Sequence, residues 1–198
     1  MTAGWRGILQ LPASAWLDVM SGTGGFSPPR ARTLAPPPIG SIAMTFRLSG
    51  IDPAPYAAMF ALDDEALRRL GAKRVMADRV HGYPCRVSLE DACIGEELLL
   101  LTYEHQRAPS PYRACGPVFV RRNGRRAFLA AGVVPPYVTR RLISLRAYDA
   151  GQLMVDASVR DGEGAAAELE RMFSDPAVAC VHLHNARYGC FSCVADRV

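Results

Sequence analysis

Two apolar runs constrain this chain more than anything else in it. Residues 98–103 read LLLLTY and residues 117–120 read PVFV. Short unbroken runs of this kind suit strands buried on both faces. Gly95 precedes the first run and Gly116 and Pro117 open the second, and such breakers favour strands over a continuous helix. Between them lies EHQRAPSPYRAC, residues 104–115. Pro109 and Pro111 cannot donate ladder hydrogen bonds, so this segment is expected to be a loop. A charged loop held by two buried strands is a common place for function. It carries Glu104, His105, Arg107, Ser110, Tyr112 and Arg113. The competing reading is an ordinary solvated connection.

Hydrophobic residues make up 49% of the 198, ample for a core. The net charge of +4 is mild. Arg121, Arg122, Arg125 and Arg126 cluster around Asn123 and Gly124, without the interleaved aromatics that single-stranded nucleic acid favours, so we expect a solvated hairpin tip and no nucleic-acid partner. Six cysteines without a secretory signal point to reduced thiols in a cytoplasm. No run reaches the roughly 18 apolar residues of a membrane span. Residues 1–43 differ from the rest: they hold six of the fifteen prolines, a single acid, Asp18, and no lysine. We expect a disordered Pro/Gly-rich extension. A transit peptide fits its composition; we prefer Met44 as the start of the domain, with the extension as upstream read-through.

From residue 44 onward the expected fold class is α+β, a single domain with a mixed or mostly antiparallel sheet and two or three packed helices. Strands are expected at 46–49, 73–80, 143–148, 152–159, 178–184 and 191–195, besides the central pair. Asp63 reads as an N-cap, with Asp64 and Glu65 in the first turn, Arg68 and Arg69 in the last and Gly71 as the stop. Residues 82–86 read as a tight loop, 88–92 as one capped turn, and 135–142 and 163–173 as helices. Asn123-Gly124 marks a primed hairpin turn.

Five blocks, GYPCRVSLEDA, LLLLTYEHQ, SPYRACGPVFVR, LRAYDA and HLHNARYGCF, resemble the bacterial family called domain of unknown function 1203, over residues 46–198. The resemblance implies a bacterial, intracellular protein and carries no activity with it. Its pattern includes Cys85, Arg86, His105, Ser110, Tyr112, Arg146, Tyr148, His184, Asn185 and Cys190, and leaves out Cys93, Cys115 and Cys180.

Three constellations carry possible chemistry. Cys85 with His105 or His184 offers a thiol nucleophile and its base, against the reading of Cys85 as a small buried hydrophobe. His182, His184, Cys190 and Cys193 offer zinc-type ligands, and we expect them not to converge. Arg86, Arg113, Arg146 and Arg187 offer forked donors for carboxylate or phosphate. No motif names a reaction, a cofactor or an oligomeric state. The sequence therefore reads as a cytoplasmic enzyme or binding protein for a small anionic or polar metabolite. Cys85, His105 and His184 are the catalytic candidates. Arg86, Ser110, Tyr112, Arg113, Arg146, Tyr148 and Asn185 are the ligand-binding candidates. The rival readings are a protein-interaction module and a zinc protein. One pocket is expected to gather Cys85, His105, Arg146 and His184, with Tyr112 at its mouth.

Overall fold

The computed structural model describes residues 45–198, so the expectations for residues 1–43 lie outside the described residues. The first half of the domain runs β1 (Phe46–Ser49), α1 (Ala54–Ala57), a 3₁₀ turn (Ala58–Ala61), α2 (Asp64–Arg69), β2 (Lys73–Met76), β3 (Pro84–Cys85), β4 (Glu90–Asp91), β5 (Glu97–Gln106) and β6 (Ala114–Arg121). The second half runs α3 (Pro136–Thr139), β7 (Leu142–Tyr148), β8 (Met154–Asp161), a 3₁₀ turn (Gly162–Gly164), α4 (Ala165–Phe173), β9 (Cys180–Asn185) and β10 (Cys190–Arg197).

The strands form two five-stranded sheets. Sheet 1 has the order β1-β10-β9-β7-β8 and sheet 2 the order β2-β5-β6-β3-β4. Every pairing is antiparallel except β3 with β6, where Cys85 sits opposite Phe119. This corrects the expected fold class. The protein is mostly β, and among the described residues only α4, nine residues long, exceeds six residues. One segment read as a helix shrinks to a single turn: residues 135–142 yield only the four residues of α3. The strand runs were largely legible, but alternation says which face a residue takes, not which of two sheets its strand joins.

Sheet 1 has two different faces. One packs on α4, where Leu169, Met172 and Phe173 meet Leu48, Ile143, Leu145, Val181, Leu183, Cys193 and Ala195. The other meets sheet 2 through Phe191, which joins Leu99, Leu101, Val118, Val120, Ile51 and Cys85 in a second core. The LLLL run serves two layers: Leu99 and Leu101 face this inter-sheet core, while Leu98 packs outward with Tyr83, Ala77 and Ala92. Local signals are obeyed where they are strong. The Asp63 carboxylate accepts from the Ala66 amide at 2.7 Å, and Gly71 takes a left-handed φ of 69° at the stop of α2.

Two local expectations fail. The chain does not turn back at Asn123-Gly124. β6 ends at Arg121 and the next strand in the chain starts at Leu142, because residues 127–132 run beside β1 instead: the Leu129 and Gly132 amides donate to the Leu48 and Phe46 carbonyls. The loop expected over 104–115 is shorter too, since β5 continues to Gln106 and β6 begins at Ala114. The prolines interrupt pairing only beyond Gln106.

Candidate ligand site between the two sheets

Period-two alternation on β9 turns His182 and His184 away from α4, toward sheet 2. Beside them on sheet 1, Arg146 pairs with His182, Ser144 with His184, and Phe191 with His184. From sheet 2, β5 brings His105. Its ring stacks on Phe191 at 5.2 Å between centroids and meets His184 edge-on at 5.0 Å and His182 at 6.1 Å. Tyr148 lies 4.8 Å from His182, and Tyr112 lies 6.1 Å from Tyr148.

Three strands are irregular here. The β5–β6 register shifts between Glu104 and Gln106, the β9–β10 register between Phe191 and Cys193, and the β7–β8 register between Ala147 and Tyr148. Bulges re-aim side chains and gather near functional sites. These three fall at His105, next to Phe191 and at Tyr148.

A cavity of about 520 Å³ opens against the cluster, with His105, His182, Phe191, Tyr103, Tyr56 and Gln152 in its wall. Gln152 holds a left-handed φ of 63° there. His182 is 6% exposed and His184 1%. His105 Nδ1, His182 Nδ1 and His184 Nε2 are buried without a hydrogen-bond partner among the described residues. His184 Nδ1 lies 3.1 Å from the Gly189 carbonyl, which only accepts, so Nδ1 carries the proton and Nε2 presents a lone pair.

The electrostatics follow from burial and one cation. Burial, then the Arg146 charge, pushes His184 down to about 3. Burial, with His105 and Arg146 behind it, pushes His182 down to about 4, and His105 is lowered chiefly by burial as well. All three rings are therefore neutral near pH 7. Arg146 is half-buried beside Tyr148 and has no carboxylate within ion-pairing distance among the described residues.

The family described as Protein of unknown function (DUF1203) matches residues 82–197. The chain belongs to this family. No curated protein and no solved structure matches the chain. His105, Arg146, Tyr148, His182, His184 and Phe191 all fall inside the DUF1203 match, whereas Tyr56, on the cavity wall, precedes it.

Within the DUF1203 span, the structure clusters His105, His184, Arg146 and Tyr148, with the exposed Tyr112 against Tyr148, but of these only His105 lies in the cavity wall, so the expected single pocket with Tyr112 at its mouth is not what forms. It separates the others. Cys85 was expected in the same pocket. It is fully buried in the inter-sheet core, its sulfur accepting from the Arg121 amide at 3.3 Å, because Pro84 and Cys85 form a strand and not an exposed loop. Arg86 is also buried, and its guanidinium is taken up by the carbonyls of Phe191 and Pro84 and by the Cys190 sulfur. Arg113 is exposed and ion-paired to Glu104 at 2.7 Å. Ser110 Oγ accepts from the Tyr112 amide within its own loop. Asn185 turns its amide toward Cys190.

Among the described residues no group of three or more His, Cys, Asp or Glu side chains is placed to hold a metal ion. Cys193 packs in the α4-side core, on the opposite face of sheet 1 from His182 and His184. No helix among the described residues is long and apolar enough to cross a membrane. The basic cluster at 121–126 is largely spoken for: Arg121 pairs with Glu90 and Glu96, Arg122 pairs with Glu97, and Arg126 donates to the Gly50 carbonyl at 2.7 Å. Sequence reasoning missed Phe191 as the hub of the cluster and gave His182 only a zinc role. The alternation that paired His182 with His184 already put it on the site's face.

Proposed function

We propose that this protein binds a small anionic metabolite, a carboxylate or phosphate, at Arg146 and the imidazoles of His105, His182 and His184. The observation that carries the reading is the Arg146 guanidinium, half-buried and without a carboxylate partner, beside the buried imidazoles of His182 and His184 and the half-buried ring of His105, each with an unpaired nitrogen. A charge held out of water calls for a counter-ion, and a forked guanidinium matches carboxylate and phosphate oxygens. The adjoining cavity has the volume of metabolite pockets, and Phe191, Tyr103 and Tyr56 give it apolar walls. The neutral rings contribute unequally: each has one unpaired nitrogen, and that of His184 is an acceptor only, because its Nδ1 proton is taken by the Gly189 carbonyl.

The chain has four histidines, so imidazole NMR reads the site directly. Titration with inorganic phosphate and with malonate should move the resonances of His105, His182 and His184 together and leave His81 still. Arg146→Gln should weaken binding by about tenfold to a hundredfold, the worth of a charge-assisted hydrogen bond. Absence of any shift with both probes, or an equal response in the Arg146→Gln protein, defeats the reading.

A further inference from the structure

Arg86 poses a problem that its hydrogen bonds do not solve. It is 1% exposed, and no carboxylate among the described residues pairs with it. Two carbonyls, of Phe191 and Pro84, accept from it but bring no charge. Three acidic side chains lie within its field. Tyr137 and Cys193 are fully enclosed, and burial pushes each up to about 12, so both stay neutral. The third is Cys190, which is partly exposed and touches the guanidinium, its Sγ 3.0 Å from an Arg86 terminal nitrogen. That separation belongs to the range of N–H···O bonds, although sulfur is the larger atom, and short contacts of this kind mark charge-assisted pairs. Asn185, 6% exposed, aims its Nδ2 at the same sulfur from 3.8 Å, while its Oδ1 is buried without a partner.

We propose that Cys190 is the reactive thiol of this protein, a modification site in which the sulfur serves as counter-ion to Arg86 and attacks peroxides and other electrophiles. The setting is the one reactive cysteines use, an electropositive and partly accessible niche. With a peroxide the sulfur forms an S–O bond as the O–O bond breaks. The cysteine is oxidised by two electrons to the sulfenic acid, and the peroxide leaves as hydroxide or alkoxide. Cys193 is no resolving partner, since it is fully enclosed in the α4-side core, so the oxidised sulfur stays open to an external thiol.

The test compares alkylation rates of all six cysteines by peptide mass spectrometry on the full chain, with limiting iodoacetamide. At about pH 6.5 an ordinary thiol is roughly 1% ionised; full ionisation raises the reactive fraction about a hundredfold, and the lower basicity returns about tenfold of that. Cys190 should therefore react roughly tenfold faster than Cys93 and Cys115, which are more exposed and so hold the advantage of access. Arg86→Gln should abolish the difference. Because that variant removes a buried group and risks misfolding, the ultraviolet thiolate absorbance of the natural protein minus that of Cys190→Ser supplies an independent reading. It should be present at about pH 6.5. Equal or slower labelling of Cys190, or a difference absorbance that grows in only above about pH 8.5, overturns the proposal.

Discussion

Acidification from about pH 7 to about pH 5 is expected to cost this protein about 4 kcal/mol of stability, and His182 and His184 set the size of the loss. In the unfolded chain each imidazole titrates at its ordinary 6.5; in the folded protein burial and the Arg146 charge hold them at about 4 and about 3. Above 6.5 both states carry neutral rings and nothing is lost. Between 6.5 and about 4 the unfolded chain binds protons that the folded chain refuses, so stability falls as the pH falls. Each group contributes about 1.4 kcal/mol per pH unit across that window. Two groups over about one and a half units give about 4 kcal/mol, against a typical total of about 5–15 kcal/mol. His105 is shifted in the same direction and adds to the loss. Stopping at pH 5 keeps most carboxylates out of the measurement. Urea unfolding followed by circular dichroism, at the two pH values, reads the difference as a shift of the midpoint. The His182→Asn, His184→Asn double variant should flatten most of the dependence. A midpoint that does not move, or one that moves equally in the double variant, refutes the link between these rings and acid lability.

Phe191→Ala should cost about 3–5 kcal/mol in urea unfolding, because the ring is 3% exposed and joins the inter-sheet core to the histidines. A loss under about 1 kcal/mol would mean that the two sheets do not depend on it. Gly162→Ala should destabilise by about 1–3 kcal/mol or more, since a Cβ there would lie 2.1 Å from the Val138 carbonyl oxygen and 2.8 Å from that of Arg141. A melting temperature unchanged by that substitution would show that α3 yields to make room.

Much of the strand layout was legible because the responsible patterns are local. The LLLLTY run, the alternation in 143–148 and the capped segment at Asp63 each specify their element without help from the rest of the chain. The partition into two sheets was not legible, because β1 joins β10 across almost the whole described chain and β3 joins β6 in parallel, and neither choice leaves a mark in the pattern of either strand. The site was legible in part for the same reason. Arg146, Tyr148 and His184 belong to strand-like runs that meet where the sheets meet, whereas His105, expected in a loop, is brought there because β5 continues to Gln106. Cys85 misled because a cysteine after a proline looks exposed, while its burial depends on pairing with Phe119, far along the chain. The three bulges that aim His105, Phe191 and Tyr148 come from register shifts between strands, which no single strand's sequence reveals.

Arg86 and Arg146 looked alike in the sequence, two arginines beside polar residues at the ends of strand-like runs. What separates them is the supply of acceptors. Every guanidinium nitrogen of Arg86 has a partner supplied by the chain, from Phe191, Pro84 and Cys190. Removing it would strand those acceptors in the core, so its loss should appear first as lost stability. Arg146 sits among rings that are neutral and has the Tyr148 hydroxyl but no carboxylate beside it, so no opposite charge of the chain answers its own. Its removal leaves behind only the Tyr148 hydroxyl, one neutral group, where loss of Arg86 would strand several acceptors. Arg146→Gln should therefore hold the urea midpoint at about pH 7 within about 0.5 kcal/mol of the natural protein while anion binding is lost. The same substitution at Arg86 should do the reverse, weakening the fold before it touches the anion site. If instead Arg146→Gln unfolds the protein, the guanidinium is holding the sheets together and the anion reading loses its main support.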